Sequence, residues 1–179
     1  MNTGRAVRPA SHHRVVGWRA WTVKETREGV RLGSVIYDTV WRPADPGSAV
    51  CRCDQLHAAP AIACTCGFHA ARDPVDALTY LHGRDEPRTL CRVLGEVRLS
   101  GLVVETEAGY RGAAAYPLRL YVNDLELAAT LEAIYGVPVP SPGWKSDFAT
   151  SSTADSAGSS LSSCSVARTR SSRTAASGS

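Results

Sequence analysis

RVLGEVRLSGLVVET, residues Arg92 to Thr106, alternates apolar and polar side chains at a period of two. Val93, Gly95, Val97, Leu99, Gly101 and Val103 fall on one face, and Glu96, Arg98 and Ser100 fall on the other. Successive side chains of a strand point to opposite sides, so the pattern predicts a β-strand with one buried face. Glycines inside such a run mark a bulge or the close approach of another backbone.

Toward the carboxyl end, Glu107-Ala108-Gly109 reads as a turn, and Tyr116 to Val122, YPLRLYV, as a returning strand. Asn123 stands where a helix cap is expected, ahead of DLELAATLEAIY, with Leu125, Ala128, Ala129, Leu131 and Ile134 toward the core and Gly136 as the stop. Toward the amino end, Asp73 is an N-cap and Pro74 suits the first helical position. Val75, Leu78 and Leu81 then supply an apolar stripe that Gly83 terminates. Earlier still, Val15 to Val23, VVGWRAWTV, reads as a strand. A turn at Glu28-Gly29 leads into a second extended run, VRLGSVIYDTVW, which ends at Arg42-Pro43.

Between these runs lies CRCDQLHAAPAIACTCGFHA, Cys51 to Ala70, with four cysteines and two histidines. Zinc takes four sulfur or nitrogen ligands on a tetrahedron, with arms of about 2.0–2.3 Å. The pairs Cys51/Cys53 and Cys64/Cys66 each put sulfurs two residues apart, and in an extended segment such residues face the same side. One ligand set is Cys53, His57, Cys64 and Cys66; another is Cys51, Cys53, Cys64 and Cys66. Three thiolates and a neutral imidazole around a divalent ion leave a net charge of about −1, against about −2 for four thiolates, and the smaller charge is easier to bury. The metal expected here is a structural zinc with no open coordination position. Cys91, at the start of a strand, reads as a core residue.

The strands are grouped rather than alternating with helices, which makes the fold class α+β: a mostly antiparallel sheet with two helices, a zinc-binding loop and a disordered C-terminal tail. The 179 residues suggest one domain. Its expected extent is residues 14–140, after a disordered amino-terminal segment at 1–13 and before a linker and Ser-rich disordered tail at 141–179. No stretch approaches the ~20 apolar residues of a membrane span, and the first residues lack the apolar centre of a secretory signal. A cytoplasmic, reducing compartment is the resulting expectation, and there clustered cysteines mean metal binding or thiol chemistry more often than disulfides. The formal charge is +3, but residues 14–148 hold 15 Lys and Arg against 16 Asp and Glu. A body so balanced lacks the cationic footprint of a nucleic-acid-binding domain.

The residues GWRAW (Gly17 to Trp21), CDQLHAAPAIACTCGFHA (Cys53 to Ala70), VLGEVRLSG (Val93 to Gly101) and GYRGAAAYP (Gly109 to Pro117) resemble a family of small actinobacterial proteins. Its members share a Trp-rich first strand, a Cys/His segment ending in C-x-C-G and a G-Y-R-x-x-x-A-Y-P stretch. The resemblance covers about residues 15–122. It implies a common fold and a metal site with one cysteine, Cys53, before the histidine, and it implies no activity. More distantly, GFHA followed by DPVDALTY is similar to the central element of ADP-ribosyltransferase-like folds. That likeness implies a nicotinamide cofactor held among Arg19, His69 and Glu107, although the Ser-rich central element of those folds is replaced here by Cys66-Gly67-Phe68-His69.

Outside the metal set, His69 is out of phase with Cys64 and Cys66 and precedes the helix cap, where backbone N–H groups can assist anion binding. Arg111 follows a turn glycine and can clamp a carboxylate or phosphate, or pair with Glu105 or Glu107. His69, Glu105 and Arg111 are the candidate pocket residues. Trp18, Trp21 and Trp41 read as core. The functional expectation is a binding or regulatory module for an unknown protein or small ligand. An ADP-ribosyltransferase-like enzyme is the first alternative. A nucleic-acid-binding zinc module needing a basic patch at Arg52, Arg72 and Arg92 is the second.

Overall fold

The computed structural model describes residues 8–10, 14–53 and 57–140. The tail expected at 141–179 lies outside the described residues, as does most of the segment 1–13. The strands are β1 (Arg8–Ala10), β2 (Val15–Thr26), β3 (Gly29–Ser34), β4 (Gly47–Ser48), β5 (Phe68–Ala71), β6 (Thr89–Thr106) and β7 (Gly109–Tyr121). The helices are α1 (Pro74–Leu78), extended by a 3-10 turn over Thr79–Leu81, and α2 (Leu125–Tyr135). Among the described residues every strand pairing is antiparallel, in one seven-stranded sheet.

The predicted strand at Arg92–Thr106 is the hub of that sheet. Along one edge β6 pairs with β2, from Val15↔Leu99 to Val23↔Cys91, and then with β1 at Ala10↔Val103. Along the other edge it pairs with β7, from Leu94↔Tyr121 to Thr106↔Gly109. The start of β7 pairs with β5, and Ala71 of β5 bridges Trp18 of β2. The pairings therefore close a circuit: β6, β2, β5, β7 and back to β6. Such curling needs local breaks in the ladder, and these occur at Val23/Lys24, Glu96/Val97 and Ser100/Val103. Gly101 sits in the last break at φ 73°. Gly95 has the other role expected of a strand glycine, since a Cβ there would strike the Arg119 carbonyl oxygen.

Trp21, Val23, Leu32, Val97, Leu99 and Leu120 fill the inner face, and Leu127 and Leu131 of α2 pack onto it. Trp41 meets Trp21 edge-on at 5.6 Å, and Cys91 packs on the same cluster. Tyr135 joins α2 to the sheet: its hydroxyl accepts from the Leu32 N–H at 2.8 Å and donates to the Trp41 carbonyl at 2.9 Å.

Four details differ from the sequence reading. Arg8–Ala10, within the segment expected to be disordered, pair with β6. The α2 cap is Asp124, whose carboxylate accepts from Leu127 N at 2.9 Å, rather than Asn123. Ala128 and Leu131 face the core as expected, but Leu127 is buried beside them and Leu125 is 64% exposed. Asp73 does cap α1, but the helix is a single short turn that buries Ala77 and leaves Val75 exposed. The second extended run breaks at Ser34, whose Oγ accepts from the N–H groups of Ile36 and Tyr37 and turns the chain.

Lys24, though buried, keeps an ammonium paired with Asp38 at 3.0 Å and Glu86 at 2.7 Å. Burial opposes that charge, but the two carboxylates together outweigh it and hold Lys24 above the ordinary lysine range. This contribution is complete below the ordinary lysine pKa and fades as pH rises past the raised value.

The Tyr135 linkage yields a prediction. Tyr135→Phe leaves the Leu32 N–H and the Trp41 carbonyl without that partner, so urea unfolding should show a loss of about 1–3 kcal/mol. An unchanged midpoint would mean that other groups replace the hydroxyl.

Candidate metal centre and adjoining cleft

The chain from Cys51 to Gly67 contains no helix or strand among its described residues. It is held from outside. Arg111, buried on β7, donates from Nη1 to the carbonyl oxygens of Ala61 at 3.1 Å, Cys66 at 3.0 Å and, more closely still, Cys64. Gly67 turns the loop into β5 at φ 116°, and a Cβ there would meet Pro60 and Arg111. A side chain at position 67 would thus push the loop off its anchor.

This loop gathers one ligand atom each from Cys51, His57, Cys64 and Cys66, all within 4.8 Å of one another. The Cys51 and Cys64 sulfurs are 3.7 Å apart, and His57 Nε2 is 3.3 Å from the Cys66 sulfur. Tetrahedral bonds of about 2.3 Å to sulfur and 2.0 Å to nitrogen separate neighbouring ligand atoms by roughly 3.5–3.8 Å. The group can therefore hold a metal ion. Backbone N–H groups also serve the sulfurs: Ala61 N lies 3.4 Å from the Cys66 sulfur, and the Cys66 N–H, as the largest effect, pulls the Cys64 thiol below its ordinary pKa. Burial moves Cys66 the other way.

Cys51, buried, completes this set; Cys53 does not. The C-x-C argument assumed an extended chain, in which both sulfurs face one side, but residues 51–53 form no strand. Cys51 turns inward and Cys53 stays exposed. The neighbouring Cys64 and Cys51 sulfurs push the Cys53 thiol above the ordinary value.

The three candidate pocket residues separate. Arg111 anchors the metal loop. Glu105 pairs with Arg72 at 2.7 Å, and Arg72 also stacks over Tyr110 at 5.0 Å. Only His69 borders the large cleft, of about 1080 Å³, between β2, the turn after β3, the metal loop and α1. Its Nε2 lies 2.8 Å from the Thr65 carbonyl oxygen. A carbonyl only accepts, so Nε2 carries the proton. Partial desolvation, reinforced by the charges of Arg19 and Arg111, lowers its pKa below the histidine norm and favours the neutral ring.

Arg19 and Glu107 border the same cleft. The Arg19 Nη1 donates to the His69 carbonyl at 2.5 Å, and its guanidinium lies 5.4 Å from the centre of the Trp41 ring. Sequence reading missed Arg111's structural task. That task depends on the pairing of β7 with β5, which sets Arg111 opposite His69 beside the loop and has no local signature in the sequence. The cations of the supposed basic patch are engaged elsewhere. Arg92 pairs with Asp85 at 2.7 Å and donates to three carbonyls, Arg72 pairs with Glu105, and Arg52 lies over Tyr37.

Replacing Arg111 should weaken metal binding although it is no ligand. Arg111→Met, read by competition with a chromophoric chelator, is expected to lose roughly 10–100-fold in affinity, with Arg111→Lys intermediate. Equal affinity in all three proteins would show that the loop holds its shape alone. Comparison of the chain with family models, curated proteins and solved structures gives no match, so the functional reading stands on this geometry.

Proposed function

We propose that the protein is a zinc-stabilised binding module whose metal is structural, with the cleft beside the metal loop as its binding site. The supporting observation is the mutual closeness of Cys51, His57, Cys64 and Cys66. Thiolate and imidazole ligands in a tetrahedral arrangement suit zinc. Four protein ligands fill that coordination, so no position remains for a reacting water or substrate. The cleft takes Cys53, Thr65, Cys66 and Gly67 as part of its wall, which makes its shape depend on the metal loop.

One observation favours a second reading, an ADP-ribosyltransferase-like enzyme acting on a nicotinamide cofactor: Arg19, His69 and Glu107 border one cleft. Arg19 and His69 are already engaged, however. The His69 ring is bonded to Thr65, and Arg19 is bonded to the His69 carbonyl. A nucleic-acid module has less support, since Arg52, Arg72 and Arg92 each have local partners.

Purified protein should contain about one zinc ion per chain, and its removal by chelation should abolish cooperative unfolding. Cys51→Ser and Cys64→Ser should each lose the metal, whereas Cys53→Ser should keep it. A metal-free wild type of undiminished stability would defeat the proposal. Release of nicotinamide from NAD⁺, lost in Glu107→Gln, would establish the enzyme reading in its place; the binding module is expected to release none.

A further inference from the structure

Arg19 is the most buried of the arginines that border the cleft. It projects from β2 on the same side as Trp21, stacks on Trp41 and donates to one carbonyl. Its Nε is buried and has no hydrogen-bond partner, and no carboxylate lies within ion-pair distance of it, among the described residues. Part of the residue still faces the cleft. Yet its charged end lies so deep that burial, opposed weakly by Tyr80, lowers its pKa to about 10. An ion this poorly solvated is costly unless a counter-charge reaches it. The space before it is large and largely apolar: Trp18, Trp41 and Phe68 line it, and Ile36, Tyr37 and Tyr80 stand exposed at its edge.

We infer that the cleft binds a small aromatic carboxylic acid, its carboxylate on the Arg19 guanidinium and its ring among the aromatic side chains. This inference rests on the reading of the cleft as the module's binding site. The charge balance favours a monoanion over a phosphate ester. Arg19, Arg42 and Arg52 border the cleft, but so do Asp45, Asp76 and Glu107, so there is no surplus of cations to hold a dianion. A guanidinium next to a ring, Arg19 over Trp41, accepts a flat ligand whose acid group lies in the guanidinium plane.

The test uses the full chain with its metal as purified, and metal content is measured on every sample. Benzoate and indole-3-carboxylate are titrated by calorimetry beside their neutral amides and inorganic phosphate. The carboxylates should bind at least about tenfold more tightly than the amides, as expected for a bidentate ion pair shielded from water. Arg19→Met should abolish that preference. Ile36→Asp, at a rim position 66% exposed where folding is not at stake, should weaken the carboxylates severalfold and leave the amides unchanged. Equal binding of acids and amides, or preferential binding of phosphate, overturns the inference while leaving the cleft a binding site. Failure of every probe with metal fully bound overturns it too, and leaves the metal centre standing. Loss of metal in the wild type would be the distinct failure of the module reading.

Discussion

Arg111 joins two parts of the molecule of very different build. On one side is a curled antiparallel sheet held by regular ladders. On the other is a seventeen-position stretch, Cys51 to Gly67, without helix or strand among its described residues. A single buried nitrogen donates to the carbonyls of Ala61, Cys64 and Cys66 and orients the turns that carry two of the four ligands. The charges agree with this arrangement. A divalent ion with three thiolates and one imidazole carries a net of about −1, and the Arg111 cation beside it brings the local sum close to zero. A balance of this kind would lower the cost of holding an ion among these half-buried ligands.

The sheet was legible in the sequence because period-two alternation is a local property of the chain. The faces assigned to Val93, Val97, Leu99 and Val103 hold in the structure, and both roles of the strand glycines occur, Gly95 for close approach and Gly101 for the bulge. The closing of the circuit was not legible. It depends on one bridge between Trp18 and Ala71, two residues in runs too distant for any local pattern to connect. The core face of α2 was legible at Ala128 and Leu131, while its cap and its first leucine were not. Asn123 and Asp124 are adjacent and both suit an N-cap, and the local pattern selects neither Asp124 as the cap nor Leu127 over Leu125 for the core.

The ligand set was legible as a group, and its membership was not. Five ligand-type side chains at 51, 53, 57, 64 and 66 are plain in the sequence. Which four converge depends on how the chain turns at Arg52, and an irregular segment has no periodicity from which to read that turn. The roles of Glu105 and Arg111 were obscured similarly. Glu105 and Arg111 lie on one hairpin, so a pair between them was reasonable, but each finds its partner outside the hairpin, in Arg72 and in the metal loop.

The cleft inherits its character from this assembly. Its floor is β2, fixed by the hub strand, and one wall is the metal loop, fixed by Arg111 and by the ligand group. His69 stands where the two meet. Its ring is tied to Thr65 in the loop, and its carbonyl accepts a hydrogen bond from Arg19 in the sheet. Displacement of the loop would therefore pull the His69 ring away from Thr65 and disturb the strand end whose carbonyl holds Arg19. A metal ion held by the ligand group would, through the loop and His69, help to fix the position of Arg19. Order in the loop and affinity in the cleft are then two readings of the same contacts, and the histidine is the residue through which they are coupled.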